Sequence, residues 1–212
     1  MPNITQIEVF NKANDLNIPL ASNQPTTVSS VASPNNKTAL ENLITEVEKD
    51  ILINALGLTI YNELQTALND LPNADVKWRD LVNGVEYDSK KWEGLSSDYS
   101  FLAFAIYYMF LNGNTQFYTA LGVAQPNAEN STMVSPTYKL TTAWNKFISK
   151  YQGGSTEYPN ISYTNGVQFI DWKGCSNGVF VSLYEYLIDK KEDFGWELDS
   201  FTYYNTKNTF GI

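Results

Sequence analysis

The chain has 212 residues, 43% of them hydrophobic, and a net charge of -9, because 23 Asp and Glu outnumber 14 Lys and Arg. This balance argues against binding to nucleic-acid phosphates, which depends on clustered Lys and Arg. Histidine is absent and Cys175 is the one cysteine, so histidine-dependent catalysis, histidine zinc sites and internal disulfides are excluded. The length and apolar content predict one domain with appendages, stabilised by packing.

Residues 1–36 carry scattered apolar side chains and a cluster of Ser, Thr, Asn and Pro, without a sustained helical or strand period. This composition predicts an extended N-terminal arm. The arm has no basic segment followed by an apolar run, so we expect no secretory signal.

The apolar period becomes helical in the next segment. Apolar side chains recur at three- and four-residue steps from Leu40 to Ala55, which predicts an amphipathic helix. Gly57 is expected to end it, and a second helical segment follows over residues 58–68 until Pro72 prevents continuation. Together they predict a helical hairpin or one long kinked helix.

A short helix and a strand pair are predicted next. Residues 78–82 suit a helical turn closed by Asn83-Gly84, and the alternation in residues 85–87 predicts a strand, with a second strand before Trp92.

Residues 99–112 are apolar around most of their circumference, which predicts the central core helix. Ser96, Ser97 and Asp98 are the candidate N-caps of this helix. Its strongly apolar part, residues 101–111, is too short to cross a bilayer.

The second half of the chain alternates between helices and extended segments. Residues 116–123 are expected to add a helical piece, and Ser135-Pro136 predicts the start of a further helix that ends at Gly153-Gly154. Asn165-Gly166, between alternating residues, predicts a β-hairpin. Residues 179–190 return to helical spacing, and an aromatic tail follows that should dock rather than extend freely.

These elements predict a mainly α-helical fold: a helical bundle core with short β-hairpin insertions and extended terminal arms. The expected segments are an extended N-terminal arm at 1–36, a helical core at 37–152, a hairpin or loop insertion at 153–178, and a C-terminal helix with an aromatic tail at 179–212.

Two segments of the sequence echo each other. Asn83-Gly84 precedes a Trp-x-Gly corner at residues 92–94, and Asn165-Gly166 precedes a similar corner at residues 172–174. A predicted helix follows each corner, which suggests a duplicated unit as a hypothesis.

Carboxylates are the remaining candidates for catalysis. Glu185 and Asp189 lie four residues apart on one helical face, and a hydrolase would need a second acid facing them across a cleft. Their neighbours Lys190 and Lys191 favour a solvated helix face instead. Since no metal, nucleotide or phosphate motif occurs, no catalytic, cofactor or metal residue is predicted.

The 5 Trp and 14 Tyr permit two interpretations. Rings among Asn side chains suit a sugar-binding face, which favours a carbohydrate-binding or host-adhesion module. Trp78 and Trp144, however, fall on core periodicities. Tyr163, Tyr203 and Tyr204 lie in extended or terminal segments and suit protein interfaces, where Tyr is enriched.

Several runs of residues resemble a known family. The resemblance is carried by INALGLTIYNEL at residues 53–64, WRDLVNGVEY at residues 78–87, WEGL at residues 92–95 with the aromatic helix after it, and NTFGI at residues 208–212. These runs resemble the head-to-tail connector proteins of tailed bacteriophages, most closely the adaptor or ring proteins of crAss-like and other Bacteroidetes phages.

The resemblance implies a mainly helical subunit that assembles as a homo-oligomeric ring, often a dodecamer, at the head-tail junction of a virion. Such a ring contacts the portal protein and other connector or tail proteins, and DNA passes through its lumen without specific binding. An acidic chain suits a lumen that must not hold phosphates. No enzymatic activity, cofactor or membrane partner is expected, and the subunit would be made in the host cytoplasm.

The leading hypothesis is therefore a virion structural protein. The alternative is a carbohydrate-binding or host-adhesion module, and a carboxylate-dependent hydrolase is a third hypothesis. The residues expected at subunit interfaces are Ile4, Ile7, Val9 and Phe10 in the arm, Tyr163 and Phe169 in the hairpin, and Tyr203, Tyr204 and Phe210 in the tail.

Overall fold

A computed structural model of the chain describes residues 2–11, 16–18, 35–114, 117–119, 122–124, 137–153, 160–164, 167–171, 179–197 and 201–205. The α-helices in these ranges are α1 (Asn35–Leu68), α2 (Val76–Asn83), α3 (Phe101–Asn114), α4 (Thr137–Gln152) and α5 (Leu183–Phe194). Within the described residues, three antiparallel hairpins pair β1 (Val85–Tyr87) with β2 (Lys90–Trp92), β3 (Phe117–Thr119) with β4 (Gly122–Ala124), and β5 (Asn160–Thr164) with β6 (Val167–Asp171). The predicted fold class, mainly helical with short β-hairpins, is confirmed.

Helix α3 is the centre of the core, as its sequence predicts. Every residue from Phe101 to Tyr108 is at most 7% exposed, because α3 packs against both α1 and α4. The ring of Phe101 contacts those of Phe147 and Tyr151 on α4, with centroids 6.4 and 5.5 Å away. A helix that is apolar all round is stable only when other elements surround it in this way.

The predicted N-caps of α3 are wrong. The hydroxyl of Ser100 accepts the hydrogen bond from the backbone N–H of Ala103, at 3.3 Å. Ser96 donates its hydroxyl instead to the carbonyl of Val82, at 2.9 Å, and so ties the preceding corner to α2. The helix begins at Phe101, so Ser100 is the residue in position to cap it.

Helix α1 is one long element with a kink at the predicted stop. Gly57 has φ 79° and ψ 160°, whereas helical geometry continues on both sides. Glycine adopts this conformation without the penalty that a side chain imposes. The second alternative from the sequence, a kinked long helix, is therefore the one that forms.

A hairpin and a tight corner connect α2 to α3. Asp88 and Ser89, both with positive φ, form the turn between β1 and β2. Residues 179–181 then run beside β2: the backbone N–H of Lys91 donates to the carbonyl of Val179, and the N–H of Val181 donates to the carbonyl of Lys91. For this reason α5 begins later than its apolar period suggests.

The helical prediction for residues 116–123 is wrong, because β3 and β4 form a hairpin there. Gly122 lies within this segment, and a glycine in a helix interior lowers the stability of the helix by about 1 kcal/mol relative to an alanine. The predicted hairpin around residues 165–166 is confirmed by the pairing of Thr164 with Val167.

The described strands give no support to the duplication hypothesis. Asn83 is the last residue of α2, and the strand that follows, β1, is the first of its hairpin. At the matching position of the other segment, Val167 begins the second strand of a hairpin, after β5. The strands that follow the two Asn-Gly pairs thus hold different places in their hairpins, and residues 165–166 and 172–178 lie outside the described residues.

The described part of the predicted arm packs on the rest of the chain. Residues 7–11 form a 3-10 helix, and the backbone N–H of Ile18 donates to the carbonyl of Phe10 at 2.9 Å. The side chains of Leu16 and Ile18 are each 1% exposed. No helix within the described ranges is both long and apolar enough to span a bilayer.

Candidate subunit interface

Four of the residues predicted at a subunit interface belong to the core of the chain itself. Their exposed fractions are 6% for Ile4, 9% for Ile7, 5% for Val9 and 0% for Phe10. These side chains are therefore removed from the candidate interface, because their apolar surface is already covered within the chain.

Glu48 of α1 holds the N-terminal segment in place. Its two carboxylate oxygens accept hydrogen bonds from the backbone N–H groups of Ile4, at 3.0 Å, and Thr5, at 2.5 Å. The side chain is 4% exposed, and this burial raises the pKa of Glu48 above its ordinary value. The hydrogen bonds from Thr5 and Ile4 act in the opposite direction, since they stabilise the ionised form.

The described part of the tail, residues 201–205, is docked as expected. Tyr204, which was expected at a subunit interface, anchors it to the core of this chain. The side-chain amide of Gln152 accepts from the backbone N–H of Tyr204 at 2.7 Å and donates to its carbonyl at 2.8 Å. Asn54 of α1 donates to the Tyr204 hydroxyl at 3.0 Å. The ring of Tyr204 lies edge-on against the rings of Trp144, Phe147 and Tyr151.

The residues on either side of Tyr204 are also held. Phe201 stacks on Tyr151 with ring centroids 4.7 Å apart. The carbonyl of Asn205 accepts a hydrogen bond from the indole N–H of Trp144 at 2.8 Å. Residues 201–205 therefore form a strap across the core.

Tyr203 points away from the core and is 58% exposed. Its ring contacts that of Tyr184 on α5, with centroids 5.4 Å apart. Ile188, one helical turn further along α5, is 46% exposed. We call Tyr184, Ile188 and Tyr203 the aromatic patch. Partial burial, together with a hydrogen bond to Tyr184, raises the pKa of Tyr203 to about 12.

The two acids considered for catalysis are paired with a lysine. The ammonium of Lys90 lies 2.7 Å from a carboxylate oxygen of Asp189 and 3.0 Å from one of Glu185. Tyr87 donates its hydroxyl to Asp189 at 2.9 Å. The hydrogen bonds of Lys90 to Asp189 and Glu185, the one to Asp189 foremost, raise the pKa of Lys90 above its ordinary value. The cluster joins the β1–β2 hairpin to α5, so its role is structural; we call it the tie around Lys90.

An open depression of about 360 Å³ lies beside this cluster, around the hairpin turn. Glu185 and Asp189 are not among its lining residues, which are Glu86, Tyr87, Asp88, Ser89, Lys90, Lys91 and Val179. The arrangement expected of a hydrolase, an acid pair facing a second acid across a cleft, is not formed by these residues. Among the described side chains, no cluster of three or more potential metal ligands occurs.

The described tryptophans pack in or against the core of the chain. Trp78, Trp92 and Trp196 are at most 6% exposed, and Trp144 packs between Tyr108 and Phe147. The core interpretation of Trp78 and Trp144 is therefore confirmed.

The other predicted interface residues lie outside what the structure describes. Tyr163 and Phe169 fall in β5 and β6, but their side chains are outside the described part, as is Phe210. Sequence reasoning missed Tyr184 and Ile188. Their signal was available, because both are large apolar residues that lie off the core stripe of α5 formed by Leu183, Tyr186 and Leu187.

No protein-family model, curated protein or solved structure matches this chain.

Proposed function

We propose that this chain is a virion structural protein, a subunit of the ring that connects head and tail in a tailed bacteriophage. The ring would surround the DNA channel between the portal and the tail. The aromatic patch carries the proposal, since the exposed ring of Tyr203 contacts Tyr184, and the exposed side chain of Ile188 lies one helical turn from Tyr184. Exposed tyrosine and large aliphatic side chains grouped in this way are typical of protein interfaces.

The resemblance to connector proteins supports the same function. Its runs coincide with parts that shape the subunit: residues 53–64 contain the kink of α1, residues 78–87 form most of α2 with β1, and residues 92–95 form the corner before α3. These are scaffold positions without catalytic content, which suits a structural role.

The charge of the chain fits a channel through which DNA must slide. A net charge of -9 repels phosphates rather than holding them. Part of the positive charge is also used within the subunit, since Lys90 is paired with two carboxylates and Lys150 with Glu93.

The carbohydrate-binding alternative has less support. Sugar-stacking sites need exposed rings, and the described tryptophans are packed in the core or bonded to the tail. This alternative would depend on exposed tyrosines such as Tyr138, which is 74% exposed.

The proposal is tested by the mass of the purified protein in solution, measured by light scattering. The protein is measured alone and after mixing with the other structural proteins of its source particle. We expect a ring-sized species in at least one of these samples, and images of negatively stained particles should show rings. A persistent monomer in both samples would overturn the proposal, and a glycan array would then test the alternative.

A variant of the aromatic patch sharpens this test. Replacing both Tyr203 and Ile188 by Ser should lower the yield of rings at least tenfold, because the exposed apolar surface is lost. Tyr138→Ser is the matched control, since it removes an exposed ring outside the patch. An equal loss in both variants would show that the patch has no special part in assembly.

A further inference from the structure

Residues 201–205 lie in a groove formed by α1, α4 and α5, and this groove grips the main chain of the tail. The amide of Gln152 both donates to and accepts from the backbone of Tyr204. A neighbouring β-strand makes the same pair of hydrogen bonds to an extended chain. This grip does not depend on the side chain of the bound residue.

The groove also has sites for two rings spaced three residues apart. Phe201 stacks on Tyr151, and Tyr204 is surrounded by three aromatic rings of α4. The groove therefore recognises an extended segment with the pattern aromatic-x-x-aromatic.

The kink in α1 supplies a third contact. A helix leaves its last carbonyl groups without intrahelical partners, and Gly57 interrupts helical geometry just after Asn54. The carbonyl of Asn54 accepts a hydrogen bond from the backbone N–H of Thr202 at 2.9 Å. The groove thus fixes both the position and the direction of the tail.

Only a short covalent link ties this tail to its own subunit. Trp196, 3% exposed, anchors the end of α5, and residues 197–200 join it to Phe201. All the contacts just described would be the same for residues 201–205 of a second copy. Exchange of an identical element between copies is a low-cost route to assembly.

We propose that the groove is an exchange site, which in the assembled ring takes residues 201–205 of a neighbouring copy. This inference rests on the proposed function, because donation of each tail to the next subunit produces head-to-tail contacts that close a ring. The five residue steps from Trp196 to Phe201 span at most about 18 Å, so the two copies must be in direct contact.

Tail exchange gives the aromatic patch its place in the assembly. Tyr203 contacts Tyr184 within the subunit, so an exchanged tail would place Tyr203 of one copy against Tyr184 of the next. The exposed patch would then lie at the contact between copies.

Cross-linking between differently marked subunits tests the exchange. One variant carries Asn54→Cys and the other Thr202→Cys, both with Cys175→Ser, and the two are mixed, assembled and treated with a short bis-maleimide. Two chains joined through these positions require a tail in the groove of another copy. We expect linked pairs of chains at a yield at least fivefold above a control mixture of Tyr138→Cys with Thr202→Cys.

The same two substitutions in one chain report docking within the subunit. The exchange would be overturned if this double variant were linked within single chains while the mixture gave linked pairs of chains only at the yield of the control mixture. Absence of both products would overturn it as well, because the tail would not occupy the groove. If rings form by mass but their linkage is internal, the exchange fails and the proposed function stands; if no rings form, the proposed function fails.

Gln152→Ala provides a second measurement. Removing the amide that grips the tail should lower the yield of linked pairs at least fivefold, whereas Asn145→Ala on the same helix leaves this grip in place. Circular dichroism checks that both variants remain folded. Unchanged linkage in folded Gln152→Ala would contradict the groove as the site of exchange.

Discussion

Gly84 and Gly94 cross with their backbones in direct contact. A Cβ atom on Gly94 would lie 2.5 Å from the backbone nitrogen of Gly84, and one on Gly84 would lie 2.6 Å from the carbonyl oxygen of Trp92. Both glycines also have positive φ, 88° and 86°, a region that side chains disfavour. The corner between the hairpin and α3 therefore depends on two glycines ten positions apart in the sequence.

We expect Gly94→Ala to lower the free energy of unfolding by more than about 3 kcal/mol, because backbone atoms cannot move aside as a side chain can. Denaturation in urea measures the change. Gly113→Ala is the control: it lies in α3, with nothing within 4 Å of an added Cβ, and should raise stability by about 0.5–1 kcal/mol. Similar stabilities for the two variants would contradict the close contact.

The buried carboxylate of Glu48 predicts a pH dependence. Burial raises its pKa in the folded protein above the ordinary value of 4.5, so the folded state binds the proton more tightly than the unfolded state. The stability that the folded protein gains from binding this proton at Glu48 is thus complete below pH 4.5. It is lost as the pH rises through the raised pKa. We expect the stability of the wild type relative to Glu48→Gln to fall between pH 4 and pH 7.

Unfolding in urea at several pH values measures this difference. Glu46→Gln is the control, since it removes an exposed carboxylate from the same helix. A wild type that gains stability relative to Glu48→Gln over this range would show that the hydrogen bonds from Ile4 and Thr5 outweigh the cost of burial.

Elements with a local cause were predictable from the sequence. The apolar circumference of α3, the kink at Gly57 and the end of α2 at Gly84 each follow from the residues at those positions. The hairpin of β5 and β6 was equally predictable from the Asn-Gly pair between them in the sequence.

Contacts between distant residues were not predictable. The N-terminal segment reads as an arm because its apolar side chains lack a period, yet Glu48, more than 40 positions away, binds its backbone. Tyr204 was assigned to an interface because its segment is extended, although Gln152 and Asn54 hold it on the core. In both cases the deciding partner lies in another element, which the local pattern does not contain.

The tie around Lys90 should contribute modestly and depend on salt. Lys90 bonds to Glu185 and Asp189 at a partly exposed site, where such pairs contribute about 1 kcal/mol and are screened by ions. We expect Lys90→Ala to lower the free energy of unfolding by about that amount in low salt and by less in 1 M salt.

Lys37→Ala is the control for this prediction. Lys37 lies 3.8 Å from Glu41 in an exposed pair on α1, and its loss should change stability by less than about 0.5 kcal/mol. If Lys90→Ala were as neutral as this control, the cluster would not hold the hairpin to α5.

Two substitutions of Tyr204 separate the parts of tail docking. Tyr204→Phe keeps the ring and removes the hydrogen bond from Asn54, which should cost about 1 kcal/mol. Tyr204→Ala also removes the contacts with three rings of α4, and truncation of a ring that is half-buried here should cost about 3 kcal/mol. The backbone N–H of Thr202, bonded to Asn54, should exchange with solvent faster in Tyr204→Ala than in Tyr204→Phe, because the strap then opens without complete unfolding. Equal exchange rates in the two variants would mean that the backbone grip of Gln152 is sufficient and that the ring adds nothing to docking.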